Sequence, residues 1–89
     1  MEILHDTQKQ KFYIVVDGLE SHLEYIKTEK VLNLNHTFVP DELRGKGIAA
    51  KLVEAALAYV KANNLKIIPS CWYVAGYIRK HKEYEELVA

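Results

Sequence analysis

The order of the sequence patterns predicts a single α+β domain in which an antiparallel meander continues into a strand–helix–strand unit. The first half of the chain contains short stretches rich in β-branched and aromatic residues, separated by turn signals. The second half contains an amphipathic helix between two apolar strands, and this order implies a right-handed crossover with parallel pairing. Because 89 residues provide one hydrophobic core, we expect one domain over residues 1–89.

Four strands are predicted in the first half of the chain. They cover residues 2–5, 11–17, 21–27 and 31–39. Alternation in the fourth strand predicts that His36 faces inward with Leu34 and Phe38. The other face of that strand would carry Asn33, Asn35 and Thr37.

Helical periodicity follows the fourth strand. Pro40 lacks a backbone N–H and ends that strand. Apolar residues then recur at helical spacing from Ile48 to Tyr59, and Asn63-Asn64 is a suitable helix end because asparagine tolerates the left-handed conformation. A short buried strand is expected at residues 65–70 and a last helix at about 73–81.

Composition favours a globular protein without a general attraction for polyanions. Apolar residues make up 49% of the chain, and twelve basic residues cancel twelve acidic ones. The absence of net charge disfavours nucleic acid or an anionic membrane as a partner. Cys71 is the single cysteine and no secretory signal pattern is present, so we expect a cytoplasmic location.

The segment Arg44-Gly45-Lys46-Gly47-Ile48-Ala49 joins the fourth strand to the helix and has the character of an anion-binding loop. The first N–H groups of a helix lack partners, and the helix dipole favours negative charge there. Gly45 and Gly47 would let a diphosphate approach the backbone, while Arg44 and Lys46 would add positive charge. The alternative is an ordinary helix N-terminus whose glycines only turn the chain.

The same segment, with Val39-Pro40 before it, resembles the acetyl-CoA motif of the GNAT superfamily of N-acetyltransferases, Gln/Arg-x-x-Gly-x-Gly/Ala. Residues 31–88 are similar to minimal GNAT-like proteins. The resemblance implies a GNAT-like fold, acetyl-CoA as cosubstrate and an amine of a small molecule or protein as acceptor. It also implies that the loop amides of residues 44–49 bind pyrophosphate, and that pantetheine pairs like an added strand beside Thr37, Phe38 and Val39.

Two residues are candidates for the chemistry at the acyl group. Larger superfamily members often carry a carboxylate base on the strand before the loop, but this chain has His36 and Thr37 there. His36 is therefore a candidate base, with a hydrogen-bonded core histidine as the alternative. Cys71 precedes the last helix, whose N-terminus lowers a thiol pKa, and is a candidate nucleophile. The alternative for Cys71 is an inert core residue.

The resemblance implies that a tyrosine of the last helix protonates the departing thiolate. Tyr77 lies at about the corresponding place, with Tyr73 and Tyr84 as competitors and simple packing as the alternative for all three. Trp72 is expected in the core.

The other histidines and the basic residues of the last helix do not form a recognisable binding or metal site in the sequence. His5, His22 and His81 lie in separate elements without metal-ligand spacing, so no metal site is predicted. Residues 79–82, Arg-Lys-His-Lys, are expected to form a solvated helix end, with contact to a ribose phosphate as the alternative.

Two functions remain open from the sequence. The first is an N-acetyltransferase that works by direct attack of the amine or through an acyl-Cys71 intermediate. The second is a regulatory module that binds CoA or acyl-CoA without turnover, which the missing carboxylate favours. The acceptor and the oligomeric state have no sequence signal.

Overall fold

A five-stranded mixed sheet, with its strands in sequence order, is the framework of the protein. The computed structural model describes residues 2–89. The strands are β1 (Leu4–Asp6), β2 (Lys11–Val16), β3 (Leu19–Thr28), β4 (Val31–Phe38) and β5 (Lys66–Ile68). The helices are α1 (Ile48–Ala62) and α2 (Trp72–Lys80), and two 3-10 segments lie at Asp41–Leu43 and Lys82–Leu87. Within the described chain, no helix is both long and apolar enough to cross a membrane.

The strand pairing confirms the predicted topology. Strands β1 to β4 form an antiparallel meander, and β5 pairs parallel to β4 after the crossover through α1. The first strand begins at Leu4 rather than at residue 2, and β5 is shorter than predicted. Neither 3-10 segment was anticipated, because such short turns carry no periodic pattern of their own.

Helix α1 packs one apolar face against one face of the sheet. Ile48, Leu52, Ala56 and Val60 recur at one-turn spacing and are buried. The buried sheet residues of the same core are Phe12, Ile14, Leu23, Tyr25, Leu32, Leu34 and Ile67. Since burying a leucine or valine side chain contributes about 1.5–3 kcal/mol, this layer fixes the helix on the sheet.

Helix α1 ends at the two asparagines, as predicted. The Asn63 side-chain amide donates to the carbonyl oxygen of Tyr59 at 2.8 Å, which satisfies a carbonyl of the last turn. Asn64 adopts the left-handed conformation with φ +55°. The chain can therefore reverse direction into β5 without a glycine.

A β-bulge in β4 changes which side chains face the core. In the pairing of β3 with β4, Tyr25 lies opposite Leu34 and Glu24 lies opposite His36, so Asn35 is an extra residue without a partner. Leu34 is fully buried, but His36 is exposed and Phe38 is 44% exposed. The prediction that His36 and Phe38 face inward with Leu34 is wrong, because the extra residue shifts the alternation by one position.

Strands β4 and β5 pair only at one end and then diverge. Their pairing covers Val31–Asn33 and Lys66–Ile68. Beyond it, the backbone N–H of Cys71 donates to the carbonyl oxygen of Leu34 at 2.9 Å, which ties the start of α2 to the bulge. The edge of β4 after Leu34 is therefore free of β5, as expected from the predicted splay.

Candidate functional site

The loop before α1 is shaped by two glycines in the left-handed region. Gly45 has φ +83° and Gly47 has φ +76°, values that side chains other than glycine rarely adopt. A Cβ added at either position would meet no atom within 4 Å, so the space above the backbone is open. Arg44 is held at the loop by an ion pair with Asp41 at 3.2 Å and by a hydrogen bond to the Val39 carbonyl oxygen at 3.4 Å.

The N-terminus of α1 has unused hydrogen-bond donors. The first intrahelical bond runs from the Lys51 N–H to the Gly47 carbonyl oxygen at 3.2 Å, so the N–H groups of residues 48–50 have no acceptor within the helix. Within residues 2–89, no side chain caps this helix, and its first turn contains no acidic residue. The helix dipole adds positive potential at the same place, which suits a bound anion.

A cleft of about 330 Å³ connects this loop to the gap between β4 and β5. Its walls come from the end of β4, the loop, the first turn of α1 and the start of α2. The lining residues are Thr37, Val39, Leu43, Arg44, Gly45, Gly47, Ile48, Ala49, Ala50, Cys71, Trp72 and Tyr73. The structure therefore gathers most of the loop residues and Cys71, which the sequence singled out, in one cleft.

Four other residues proposed from the sequence lie outside the walls of the cleft, namely His36, Phe38, Lys46 and Tyr77. His36 and Phe38 point to the opposite face of β4 because of the bulge. His36 is thus not placed to act as a base in this cleft. Lys46 is exposed between the two loop glycines.

Cys71, a buried free cysteine, lines the cleft. Its side chain is 8% exposed, and Sγ lies 3.4 Å from the Thr37 hydroxyl oxygen. Burial raises the pKa of the Cys71 thiol, but the Thr37 hydroxyl and the backbone N–H groups of Val74, Tyr73 and Thr37 together lower the pKa below its ordinary value. Two of these N–H groups belong to the first turn of α2, where unpaired donors and the dipole stabilise a thiolate.

The two tyrosines of α2 have different environments. Tyr73 lines the cleft, and burial together with the charge of Glu54 raises its pKa, so its hydroxyl stays protonated at neutral pH. Tyr77 instead donates to Glu54 at 3.1 Å and stacks on His81 at 4.1 Å between ring centroids. Burial and the Glu54 hydrogen bond raise the pKa of Tyr77 to about 12. Of these two tyrosines, Tyr73 lines the cleft and Tyr77 does not.

The structure differs from the sequence-based expectation at two cleft residues. Trp72 was expected in the core but is 82% exposed at the rim of the cleft. Trp72 is the first residue of α2, and the buried residue of that first turn is Val74. Thr37 was implied as a neighbour of pantetheine and does line the cleft, but its contact with Cys71 was not expected, because it depends on the bulge, for which the alternation gives no signal.

Comparison with protein families identifies the chain. Residues 11–87 match the model of the GCN5-related N-acetyltransferase family, which includes four strands, both helices and the whole cleft.

Individual relatives agree with this match. The chain is 34% identical to Protein NATD1 of Mus musculus over 85 residues, which cover 91% of this chain and 76% of that protein. It is 31% identical to Protein NATD1 of Danio rerio, with 99% of this chain and 84% of that protein covered. The solution structure of a GCN5-like protein from Staphylococcus aureus superposes with a TM-score of 0.76 at 34% identity, covering 99% of this chain and 87% of that chain. The protein belongs to the GCN5-related N-acetyltransferase family.

Proposed function

We propose that the protein transfers an acetyl group from acetyl-CoA to an amine of a small molecule or of another protein. The observation that carries the proposal is one cleft that joins an uncapped helix N-terminus, a glycine loop and the Cys71 thiol, whose pKa is lowered by the Thr37 hydroxyl and nearby backbone N–H groups. Family membership supplies the class of reaction. The arrangement matches two parts of an acyl-CoA: the unpaired N–H groups suit its diphosphate, and the part of the cleft beside Cys71 would hold its thioester.

The residues present fit acetyl-CoA. The N–H groups at the start of α1 would bind the pyrophosphate, and the open space at Gly45 and Gly47 would admit it to the backbone. The pantetheine arm would lie along the edge of β4 that β5 leaves free, beside the backbone of Thr37, Phe38 and Val39. This course brings the thioester toward Cys71 at the inner end of the cleft.

Two routes are compatible with these residues. In the first, the neutral amine attacks the thioester carbon directly, the bond to the CoA sulfur breaks, and Tyr73 gives a proton to the departing thiolate. The new amide nitrogen releases its surplus proton to solvent, from which Tyr73 is reprotonated. In the second, the Cys71 thiolate attacks the carbon and CoA departs as in the first route. The amine then attacks the acyl-cysteine and Cys71 leaves as a thiolate. The lowered pKa of Cys71 supports the second route.

One observation favours a second candidate function, a CoA-binding regulatory module without turnover. Among the described residues, the cleft wall contains no carboxylate and no histidine. A direct-attack enzyme would then have no general base in the cleft for an amine that arrives protonated.

Intact-mass spectrometry with acetyl-CoA distinguishes these functions. The protein is incubated with acetyl-CoA, with and without a panel of amines, and free CoA is measured with a thiol reagent. An acetyl group on wild-type protein that is absent from Cys71→Ala supports the acyl-cysteine route. Amine-dependent CoA release without acyl-protein supports direct attack. CoA binding with no release for any amine supports the regulatory module, and no binding at millimolar CoA rejects all three.

A further inference from the structure

A cluster of metal-ligating side chains lies on the face of the sheet opposite to α1 and the cleft. It consists of His22 and Glu24 from β3 and His36 from β4. His22 and Glu24 are two residues apart and so share a face, and His36 lies directly across from Glu24. One ligand atom of each residue lies within 4.8 Å of the others. The bulge at Asn35 that turns His36 away from the cleft also brings it to this cluster.

We infer that His22, Glu24 and His36 form a binding site for a divalent transition-metal ion such as Zn²⁺. Two imidazoles and one carboxylate are a frequent ligand set for Zn²⁺, with water as the fourth ligand. Tetrahedral Zn²⁺ with bonds of about 2.0–2.1 Å requires ligand atoms roughly 3.4 Å apart, so separations of up to 4.8 Å must shorten by up to about 1.4 Å. The side chains can do this, since His36 is exposed and the Glu24 side chain is 48% exposed.

Glu20 orients His22 for this role. A Glu20 carboxylate oxygen lies 3.1 Å from His22 Nδ1. Because an ionised carboxylate only accepts hydrogen bonds, Nδ1 carries the proton and Nε2 presents its lone pair. Nε2 faces the carboxylate of Glu24 at 3.8 Å. A carboxylate on the outer nitrogen of a ligating histidine is the usual support of a metal site, because it fixes the ring and its tautomer.

The surrounding charges leave Glu24 available for a cation. Lys11 pairs with Glu20 at 2.7 Å and also lies over the Tyr13 ring at 5.0 Å. In residues 2–89, no lysine or arginine forms an ion pair with Glu24. The alternative role of the cluster is a surface contact between His22 and Glu24, which at 3.8 Å and with Glu24 48% exposed would contribute little to stability.

The sequence-based expectation of no metal site considered His5, His22 and His81, which are far apart in the chain. It did not include His36, which was predicted on the inner face. The bulge changes that face, so the pair formed by His22 and His36 could not be seen from the strand pattern. Their ring centroids lie 5.8 Å apart.

Calorimetric titration of the untagged, reduced protein with ZnCl₂ in a non-chelating buffer near neutral pH tests the inference. We expect one Zn²⁺ per chain and a rise in Tm with ZnCl₂, because a ligand of the native state stabilises it by mass action. His22→Ala and His36→Ala should each weaken binding at least tenfold. Glu20→Gln, which removes the orienting carboxylate together with the ion pair to Lys11, should weaken it roughly tenfold.

His81→Ala is the matched control, because His81 stacks on Tyr77 outside the cluster and should bind Zn²⁺ as tightly as wild type. Since all these positions are at least partly exposed, each variant should keep the wild-type Tm without metal. MgCl₂ should give no heat, because Mg²⁺ prefers oxygen ligands. The inference is overturned by absence of binding at millimolar ZnCl₂, by wild-type affinity in His22→Ala or His36→Ala, or by binding that is lost only in Cys71→Ser.

Discussion

The hydroxyl oxygen of Thr37 lies 3.4 Å from Sγ of Cys71, across 34 residues of sequence. The contact joins the end of β4 to the start of α2. It lies beyond the short stretch in which β4 pairs with β5. In the thiolate state only the hydroxyl can donate, so the contact favours the charged form of Cys71.

Replacing Thr37 by valine should therefore raise the pKa of Cys71. A hydrogen bond to a charged group contributes about 1.5–3 kcal/mol, so the thiolate fraction near neutral pH should fall roughly tenfold or more. The pH dependence of iodoacetamide alkylation measures this as a shift of the rate profile toward higher pH. Thr37→Ser keeps the hydroxyl and should keep the wild-type profile, whereas identical profiles for valine and serine would mean that the contact does not act on the thiol.

The fold was predictable because its signals are local. The periodicity of α1, the proline after β4 and the asparagines after α1 each act through neighbouring residues. The glycine loop before α1 could be found for the same reason, since Gly45 and Gly47 lie next to a helix start.

The side-chain directions at the end of β4 were not predictable in this way. A single extra residue, Asn35, reverses the two faces, and no residue type is diagnostic of such a bulge. The prediction therefore placed the His36 side chain on the inner face and the Thr37 side chain on the other, while in the structure Thr37 lines the cleft and His36 does not. The pairing of β3 with β4 determines these side-chain directions, and that pairing depends on contacts between residues distant in sequence.

CoA should stabilise the wild-type protein, and Gly47→Val should remove this effect. At a concentration 100 times Kd, CoA would add about 2.7 kcal/mol, or about 10–20 °C in Tm for a domain of this size. Valine at φ +76° costs about 1–2 kcal/mol of backbone strain and covers the amides that would hold the pyrophosphate. Thermal unfolding with and without CoA measures both effects.

Gly18→Val is the matched control for this test. Gly18 has φ +77°, and a Cβ there also meets no atom within 4 Å, but it lies in the turn between β2 and β3. It should lose a similar amount of stability and keep the full CoA shift. A CoA shift that persists in Gly47→Val would place the cofactor elsewhere.

Removing the hydroxyl of Tyr73 should affect turnover, whereas removing that of Tyr77 should affect stability. If Tyr73 protonates the departing thiolate, Tyr73→Phe should lower kcat about 100-fold. Tyr77→Phe should change kcat little and cost about 0.5–1.5 kcal/mol of stability through the lost Glu54 hydrogen bond. Steady-state kinetics and thermal unfolding separate the two. Because the pKa of Tyr73 is raised, its titration should not reduce wild-type activity below about pH 10. Equal kinetic losses in both variants would contradict this assignment.

The last prediction concerns Cys71, whose chemistry separates the two routes. Its pKa is lowered despite burial, so alkylation by iodoacetamide should reach half its maximal rate at a lower pH than for a free thiol. The lowered pKa of Cys71 also makes the free energy of unfolding depend on pH. Between the folded and unfolded pKa values of Cys71, the native state binds fewer protons than the unfolded state. The stability of wild type relative to Cys71→Ala should therefore increase as pH rises through that window and decrease as pH falls through it. Denaturant unfolding at several pH values measures this difference.

Activity then decides whether the thiolate is used. Bound CoA should protect Cys71 from alkylation, since the thiol lies in the cleft that would hold the thioester. Under the acyl-cysteine route, Cys71→Ala should still show a CoA-dependent rise in Tm but lose the acyl-protein and most of its turnover. Under direct attack, Cys71→Ala should keep most of its turnover, because the amine reacts with the thioester without a protein thiol. Alkylation with the pH profile of a free thiol, together with wild-type turnover in Cys71→Ala, would show that Cys71 only packs between β4 and α2 and that the amine attacks directly.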